Sequence, residues 1–397
     1  MPARPKLAAV TTIFFKYSHT QHIVDRFLDG YGWNSTHHHP PMDLVSLFVD
    51  QVGANDLSRE RAARHPSMKI YPTIAEALTL GTGKLAIDGV VLVGEHGDYP
   101  RNAKGQPQYP RYEFFQQIVE IFRQSGRAVP VFNDKHLSWN WEWARAMYDT
   151  SRQMNFAFMA GSSLPVTWRT PSVEMPLGSS VREAVCVCYG GVDSYDFHGL
   201  ETIQCMVERR RGGEAGVKWI QAYRGPAFWD ALRDGVWSRE LMESALCRSH
   251  TLTPARPTFN DVFPSVEDMR RLVEDPVAYH YEHSDGLKCT MLLMDGLVRD
   301  FNFAACVNGQ RRPFSTQMYL PMPDGRTTLA NFFSPLVNNM EQMFLTGKAT
   351  YPVERTLLTT GLTAFGVESL ARGGARVETP QLDIRYAAPA ESTFWRT

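Results

Sequence analysis

Titratable side chains follow two of the buried strands that the sequence predicts. The apolar runs at residues 89–93 and 128–132 are each followed by polar residues of the types used in proton transfer. These residues are Glu95, His96, Asp98, Asp134, Lys135 and His136. A buried lysine or a histidine can exchange a proton near neutral pH, at a carbinol or at a carbon next to a carbonyl group. The pattern predicts acid–base chemistry by Lys135, assisted by Glu95 or His96, with a structural salt bridge between Lys135 and Glu95 as the alternative.

The elements that would position these residues alternate between strand and helix. Apolar runs predict strands at residues 7–15, 45–49, 69–71, 89–93, 128–132 and 157–161. Amphipathic periodicity predicts helices between them at residues 18–29, 56–64, 74–80, 112–125 and 139–155. Strands separated in this way are typical of a doubly wound parallel sheet, so residues 1–164 are predicted to form a Rossmann-like α/β domain. Such sheets bind ligands at the edge formed by the carboxyl ends of their strands.

The junction between the first strand and the first helix lacks the glycines of a dinucleotide site. It reads T-I-F-F-K-Y-S from Thr12 to Ser18, where G-x-G-x-x-G would let the backbone approach a pyrophosphate. Aromatic side chains would block that approach, so conventional NAD(P) binding is not expected. Asp50 ends the second strand, where an acidic residue would hold a ribose, although helix capping explains it equally well. Thr12 and Ser18 remain candidates for contacts to a nucleotide phosphate at the helix N-terminus.

The character of the sequence changes near Pro165. Longer strands, many with alternating polar and apolar residues, are predicted at 181–189, 218–224, 280–283, 288–294 and 300–307. A hairpin turn is predicted at Asp285-Gly286, and helices at 198–210, 335–345 and 353–372. Residues 165–397 are therefore predicted to form an α+β domain on a mostly antiparallel sheet.

Residues 31–42 are predicted to be an irregular insertion in the first domain. They contain the run His37-His38-His39. This run is interpreted as part of a solvated loop, with an active-site lid or a metal site as the alternative.

Composition limits the partners that are expected. With 41 basic and 42 acidic residues, the chain lacks the basic excess of a nucleic-acid binder. No apolar stretch approaches the ~18 residues of a membrane helix, and no secretory signal is recognisable, so a cytoplasmic location without a membrane partner is expected. The six cysteines include no C-x-x-C pair and are interpreted as reduced, buried thiols.

Three stretches resemble the Gfo/Idh/MocA oxidoreductase family, and the resemblance spans most of the chain. Residues 131–137, V-F-N-D-K-H-L, are similar to the E-K-P segment of the family, with Lys135 in the place of its lysine. Residues 196–201, D-F-H-G-L-E, look like the helix-borne histidine motif of its second domain, with His198 as the histidine. Residues 344–374 resemble its closing helix.

The resemblance implies an NAD(P)-dependent enzyme that oxidises or reduces sugars and related polyols. It also implies that the lysine and the histidine handle the proton of the reacting hydroxyl group, and that the closing helix packs back on the core. Subunits would form homodimers or homotetramers, paired through the broad second sheet. The acid that stands four residues before the family's histidine is Ser194 in this sequence.

A divalent metal site is a further hypothesis for the same region. His96, His136 and His198 have the right ligand chemistry, although no fixed spacing such as H-x-x-x-H supports a metal site.

These observations together predict an enzyme that acts on a sugar or a related polyhydroxylated small molecule. Lys135 and His198 are expected to carry elimination, hydration or epimerisation by acid–base chemistry. Further substrate contacts are expected from Asp134, His136, Trp168, Arg169, Tyr195 and Asp196. Trp168 would stack on a sugar face, with core packing as the alternative. The competing hypotheses are an NAD(P)-dependent sugar oxidoreductase with an atypical phosphate-binding loop, and a non-catalytic binding or scaffold protein.

Overall fold

Strands and helices alternate through the first part of the chain, as the apolar and amphipathic patterns predict. The computed structural model describes residues 4–254, 263–322, 330–390 and 394. Up to residue 161 the elements are β1 (Lys6–Ile13), α1 (His19–Asp29), β2 (Tyr31–Trp33), β3 (Thr36–His38), β4 (Asp43–Gln51), α2 (Ser58–Arg64), β5 (Lys69–Ile70), α3 (Ile74–Thr79), β6 (Gly89–Val93), α4 (Arg111–Ser125), β7 (Val131–Asp134), α5 (Trp141–Gln153) and β8 (Phe158–Gly161). The predicted strands and helices of this region are all present, with ends that differ by a few residues.

The first sheet is parallel throughout. In the described part of the chain it has six strands in the order β5-β4-β1-β6-β7-β8. The chain runs outward from β1 to one edge and then from β6 to the other, so the strand order reverses between these two strands. This doubly wound arrangement confirms the predicted fold class, and its ligand crevice lies outside the carboxyl ends of the strands at the reversal.

One strand of this sheet is displaced from its predicted position. β7 covers Val131–Asp134 rather than residues 128–132. Pro130 has no amide hydrogen to donate, so the regular strand starts after it. At the other end, Asp134 pairs with Gly161 of β8. The sheet itself therefore holds Asp134 and presents Lys135 directly at its carboxyl edge.

Most of the predicted insertion at residues 31–42 is regular, because residues 31–38 form a hairpin. β2 pairs with β3 in antiparallel fashion, with Tyr31 opposite His38. Asn34 and Ser35 join the strands with φ values of 47° and 59°. Two consecutive positive φ values are those of a type I′ hairpin turn, which asparagine adopts readily. The prediction of an irregular insertion was wrong because strands this short and polar show no clear alternation.

The second part of the chain contains longer strands. From residue 169 to 318 the elements are β9 (Arg169–Thr170), β10 (Val181–Cys188), α6 (Tyr195–Val207), β11 (Glu214–Ala215), β12 (Val217–Arg224), α7 (Pro226–Arg233), α8 (Arg239–Leu246), α9 (Val266–Leu272), β13 (Val277–His283), β14 (Lys288–Leu293), β15 (Phe301–Val307) and β16 (Phe314–Met318). They are followed by α10 (Ser334–Thr346), α11 (Val353–Ala371), β17 (Val377–Glu378) and β18 (Arg385–Tyr386).

The second sheet is mostly antiparallel. Among the residues that the structure describes, it has eight strands in the order β17-β12-β13-β14-β10-β15-β16-β9, and β10 runs parallel to β14. The other neighbouring strands are antiparallel. The sheet type and the hairpin between β13 and β14 were both predicted from the sequence and are confirmed.

Helices cover both faces of the central strands of this sheet. On one face, buried side chains of α7, α8 and α9 pack against Val185, Val187 and Leu292. On the other face lies α6, where a Cβ at Gly199 would stand 2.6 Å from Met291. Helices thus pack on both faces of the central strands, and subunit pairing through this sheet stays a prediction.

The chain divides into two compact units. The first comprises the described residues of Met1–Thr167 and Pro321–Leu357, and the second those of Trp168–Leu320 and Leu358–Arg396. Helix α10 belongs to the first unit, where Phe344 and Phe27 of α1 stand with ring centroids 6.4 Å apart. Over the residues described, no helix has both the length and the apolar character needed to span a membrane.

Candidate active site

Three strands that end side by side are each followed by a residue with left-handed backbone. Tyr17, His96 and Lys135 have φ values of 70°, 67° and 66°. They follow β1, β6 and β7, which are neighbours in the first sheet. This conformation is uncommon for residues other than glycine and costs about 1 kcal/mol or more each. Because such strain is concentrated at functional sites, the carboxyl edge of the first unit is the candidate active site.

A fully buried arginine, Arg111, joins two of the predicted residues. Its Nη2 donates a hydrogen bond to Glu95 Oε2, and its Nη1 donates to Nε2 of His136 at 3.0 Å. Gly94 leaves room for the arginine, since a Cβ at that position would lie 2.5 Å from Arg111 Cγ. Arg111 was not predicted. Its position as the first residue of α4 could have indicated an ion pair, because a helix N-terminus disfavours a positive charge that has no anionic partner.

Glu95 lies between two cations. Besides Arg111, the ammonium group of Lys135 stands 3.7 Å from Glu95 Oε1, so the ion pair weighed in the sequence is present. Burial alone would raise the pKa of Glu95, but Lys135 and Arg111 outweigh it and hold this pKa well below its usual range. Glu95 is therefore a fixed carboxylate near neutral pH rather than a proton donor.

The two predicted histidines of this edge are neutral near neutral pH. Burial and the adjacent Arg111 guanidinium lower the pKa of His136 well below its usual value. Because Arg111 can only donate, Nε2 of His136 must be the acceptor nitrogen. Burial lowers the pKa of His96 to about 4. Nε2 of His96 is buried and makes no hydrogen bond within the described residues, so it can receive a polar group of a ligand.

Asp134 is bound by a histidine that the sequence did not single out. Nδ1 of His19, the first residue of α1, lies 2.7 Å from Asp134 Oδ2. The pair spans the end of β6, because β6 lies between β1 and β7. The sequence predicts that α1 starts at this edge, and this could have placed His19 near the site. Nothing in the sequence relates it to an aspartate 115 residues further along.

Three backbone amides around the turn between β1 and α1 are bonded to side chains of the same turn. Ser18 caps α1, and its Oγ accepts hydrogen bonds from the amides of Gln21 at 3.1 Å and Phe15 at 3.2 Å. The Gln21 side chain accepts from the amide of Tyr17 at 2.5 Å. In dinucleotide-binding folds the amides of this turn point at the pyrophosphate. In this protein, the amides of Phe15, Tyr17 and Gln21 would first have to break their hydrogen bonds to the side chains of Ser18 and Gln21.

The loop after β6 bridges the position where the ribose of a dinucleotide would bind. The Tyr99 hydroxyl donates to Asp50 at 2.6 Å, and the Gln51 side chain exchanges hydrogen bonds of 2.8 and 3.0 Å with the backbone of Asp98. Because β1 lies between β4 and β6, these bonds pass over the end of β1. The Thr12 hydroxyl donates to a carbonyl oxygen of the same loop at 2.7 Å. Hydrogen bonds within the chain therefore cross the end of β1 at this edge.

Three further predicted residues lie in the first turn of α6. This helix starts at Tyr195, three residues before its predicted start, because the buried carboxylate of Asp196 accepts backbone amides of its own turn. Asp196 also accepts from the Tyr279 hydroxyl at 3.1 Å. The ring of His198 stands edge-on to those of Tyr195 and Phe301, with centroids 5.8 Å away in each case.

Arg169 is the first residue of β9, a strand at one edge of the second sheet, and Trp168 directly precedes it. Trp168 packs edge-on against Tyr319, with ring centroids 6.0 Å apart. The Arg169 guanidinium is buried, 3.4 Å from the Glu174 carboxylate and 4.1 Å from the centre of the Phe394 ring. Arg169 therefore already has an anionic partner within its own unit.

The predicted site residues divide between the units. Those brought together at the carboxyl edge of the first unit are Glu95, His96, Asp134, Lys135 and His136. Those of the second unit are Trp168, Arg169, Tyr195, Asp196 and His198. The catalytic and binding roles of both groups remain predictions.

The metal hypothesis finds no support in the part of the chain that the structure describes. No group of three or more histidine, cysteine, aspartate or glutamate side chains there is arranged to hold an ion. His136 is bonded to Arg111, and His198 belongs to the second unit. In the histidine run, Nε2 of His38 bonds to Glu341 of α10 at 2.8 Å.

Comparison with known proteins finds likeness in structure rather than in sequence. No family model matches the chain, and no curated protein matches it. GenD2 from gentamicin A biosynthesis, solved in complex with NAD, is 12% identical, with 95% of this chain and 97% of that chain covered and a TM-score of 0.55. The myo-inositol 2-dehydrogenase of Lactobacillus plantarum is 12% identical, with 95% and 99% covered and a TM-score of 0.53. A myo-inositol dehydrogenase of Corynebacterium glutamicum is 13% identical, with 95% and 99% covered and a TM-score of 0.51.

These likenesses show the fold over nearly the whole length of the chain. The protein is built as the Gfo/Idh/MocA-type dehydrogenases are, so the resemblance found in the sequence is confirmed for the fold. A shared fold at this level of identity does not assign residue roles, which must be argued from the site.

Proposed function

We propose that this protein is an enzyme that acts on a sugar or a related polyhydroxylated small molecule by acid–base catalysis without NAD(P). The reaction class is elimination, hydration or epimerisation. These reactions share one requirement, which is the transfer of a proton to or from a carbon next to a carbonyl group.

One observation carries the proposal. The carboxyl edge of the first sheet holds a buried set of ionised and neutral groups on strained backbone, while Ser18 and Gln21 occupy the amides of the phosphate turn. Groups for proton transfer are thus retained at the usual ligand position of the fold, and the features that hold a dinucleotide are replaced by bonds within the chain.

The substrate class is supported by the fold. Two of the similar structures are myo-inositol dehydrogenases, and GenD2 comes from gentamicin A biosynthesis. A polyhydroxylated ring presents hydroxyl groups to charged side chains, and an edge that contains a carboxylate and two buried cations suits such a ligand.

Lys135 is the proposed proton donor, and Glu95 orients its ammonium group. The strained backbone at Lys135 fixes the direction of the side chain, and the buried carboxylate of Glu95 stabilises its charge. A departing hydroxyl group would receive its proton from Lys135 Nζ. His198 is proposed as a second proton carrier on the strength of the family motif, His96 as an assisting group and Asp134 and His136 as substrate contacts.

Two other functions remain as competing proposals. An NAD(P)-dependent sugar oxidoreductase is favoured by GenD2, which has this fold and was solved with NAD. It would require the turn at Ser18 and the loop at Tyr99 to rearrange. A non-catalytic binding or scaffold protein predicts that Lys135→Ala and His198→Ala leave ligand binding or assembly unchanged.

Solvent exchange tests the proposed function without knowledge of the natural substrate. The protein is incubated in D₂O with 2-keto-myo-inositol and, separately, D-fructose, and NMR follows deuterium uptake and loss of water. We expect turnover in the absence of any added dinucleotide. Parallel incubations of myo-inositol with NAD⁺ or NADP⁺ are followed by absorbance of the reduced cofactor.

A matched lysine variant completes this experiment. Lys135→Met should lower turnover, whereas Lys218→Met, which removes an exposed ammonium group 3.1 Å from Glu282, should not. Formation of reduced cofactor, with no turnover in its absence, would contradict the proposal and favour the oxidoreductase.

A further inference from the structure

The pair formed by His19 and Asp134 is built as a catalytic base with its orienting group. An aspartate carboxylate has no hydrogen to donate, so as the partner of a carboxylate Nδ1 of His19 carries the hydrogen of the 2.7 Å bond. A neutral imidazole with its proton on Nδ1 has its lone pair on Nε2. Within the described residues the His19 ring makes no other hydrogen bond, so this lone pair is available.

The two members of the pair differ in exposure. The side chain of Asp134 is fully buried, whereas that of His19 keeps 16% of its surface exposed. The imidazole therefore faces the surface, and the carboxylate lies behind it. This is the arrangement in which a buried acid sets the tautomer of a histidine and stabilises the imidazolium formed when it takes a proton.

Contacts on several sides hold the His19 ring in place. Its centroid lies 5.4 Å from that of His96 and 5.1 Å from that of Phe333, both in edge-to-face geometry. Its backbone is the first turn of α1, which the Ser18 side chain caps. A base held in this way loses little freedom when it reacts, which favours catalysis.

Two buried polar atoms beside the pair lack hydrogen bonds. They are Oδ1 of Asp134 and Nε2 of His96, neither of which has a partner among the residues that the structure describes. Leaving such atoms unbonded costs about 1–3 kcal/mol each, and structures tolerate this cost where a ligand or a bound water supplies the missing partner. The orphan atoms thus point independently to a polar ligand at this edge.

We propose that His19 is the base that removes the proton from a carbon next to the carbonyl group of the substrate, and that Asp134 is its positioning residue. This inference rests on the proposed function. The C–H bond breaks, its electron pair forms the C=C bond of an enediolate while the π pair of the carbonyl group moves onto its oxygen, and the proton resides on Nε2 of His19. Return of a proton from Nε2 to the same face of this carbon completes exchange. When a neighbouring hydroxyl group leaves instead, Lys135 supplies the proton that turns it into water.

The chain offers a matched control for this histidine. Nε2 of His65 lies 2.9 Å from Asp29 Oδ1 and its side chain is 22% exposed, so it is also a partly exposed histidine with a carboxylate partner in the first unit. His19→Gln and His65→Gln are compared for uptake of deuterium into 2-keto-myo-inositol and D-fructose. Circular dichroism melting establishes that both variants fold. We expect His19→Gln to lower the exchange rate by about 100-fold or more, and His65→Gln to leave it unchanged.

If His19→Gln does not fold, the protonation of the His19 ring nitrogens in the wild-type protein still tests the proposal. In ¹⁵N NMR of the wild-type protein in mildly alkaline solution, His19 should show a protonated Nδ1 and an unprotonated Nε2. Asp134→Asn should weaken this preference. A proton on Nε2 of the wild-type histidine, or full exchange in folded His19→Gln, overturns the role of His19 alone. Absence of exchange in the wild-type protein overturns the proposed function, and the proton step with it.

Discussion

Two buried carboxylates of this protein each bind Nδ1 of a histidine, and they differ in nearly everything else. Asp134 and His19 form one pair at 2.7 Å in the first unit, and Glu214 and His283 form the other at 2.9 Å in the second unit. Glu214 also accepts hydrogen bonds from Gln204, from Arg210 and from the backbone amides of the two residues that follow it. Asp134 Oδ1 accepts none in the described residues.

The surroundings of the two histidines differ in the same sense. The His283 side chain is completely buried, whereas that of His19 keeps 16% of its surface exposed. Burial acts to raise the pKa of Glu214, but His283 and the Arg210 cation outweigh it and lower that pKa. Glu214 and His283, together with Arg210, therefore form a buried cluster whose role is to stabilise the fold. The other pair combines an orphan oxygen, strained backbone and an accessible imidazole, which belongs to function.

The largest effect is expected from Asp134→Asn. The amide cannot fix the His19 tautomer as the carboxylate does, so the exchange rate should fall about 100-fold, a loss comparable to that of His19→Gln. The free energy of unfolding should change little, because the lost bond is replaced by one of similar geometry. Exchange kinetics and denaturant unfolding measure both quantities. A stable variant with a wild-type exchange rate would show that the pair is structural.

Glu214→Gln should show the reverse behaviour. It leaves the buried Arg210 guanidinium with less countercharge, so the free energy of unfolding should fall by about 3 to 5 kcal/mol. The exchange rate of the folded fraction should stay at the wild-type value. Urea denaturation, followed by exchange measurements under conditions where the variant is folded, checks this expectation. Loss of exchange in the folded variant would erase the distinction between the two pairs.

The loss of stability in acid allows one buried histidine of each unit, His96 and His280, to be compared. The pKa values of His96 and His280 are both lowered from 6.5 to about 4, first by burial. Between these two pH values the unfolded chain binds protons that the folded protein does not, so stability falls as the pH drops through this window. Each histidine contributes up to about 3 kcal/mol of this loss.

Two variants separate the roles of these histidines. Unfolding measured from pH 6.5 to about pH 4 should show a smaller acid loss in His96→Gln and in His280→Gln than in the wild-type protein. We expect lower exchange only in His96→Gln, because His280 lies in the second unit, bonded to Thr290 at 2.8 Å. Equal exchange in both variants would remove His96 from the site.

The smallest effect is expected from Tyr99→Phe. It removes one hydrogen bond to the exposed carboxylate of Asp50, which should lower the free energy of unfolding by about 1 kcal/mol. The variant should gain no affinity for a dinucleotide, because Ser18 and Gln21 still occupy the amides of the phosphate turn. Thermal melting and titration with NADH measure these two effects. NADH binding in Tyr99→Phe alone would identify the Tyr99 bridge as the element that closes the crevice.

The sequence predicted the parts of the fold whose signals are local. β6 was predicted with the bounds that the structure has, because five consecutive apolar residues are buried on both faces. The β2–β3 hairpin was missed because its polar strands carry no such pattern. At the site, Lys135 and Glu95 were predicted from their places after strands. Arg111 and His19 were missed because their partners lie far along the chain and are brought near by the order of strands in the sheet.

The central claim is that an acid–base site has replaced dinucleotide chemistry on this fold. It is tested most directly by calorimetric titration of the wild-type protein with NAD⁺, NADH, NADP⁺ and NADPH. Side chains of Ser18 and Gln21 occupy amides of the phosphate turn, and hydrogen bonds between the loop after β6 and the end of β4 pass over β1. We therefore expect no saturable binding of any of the four. Stoichiometric binding of one of them would contradict this account and make the protein an oxidoreductase with a rearranged phosphate site.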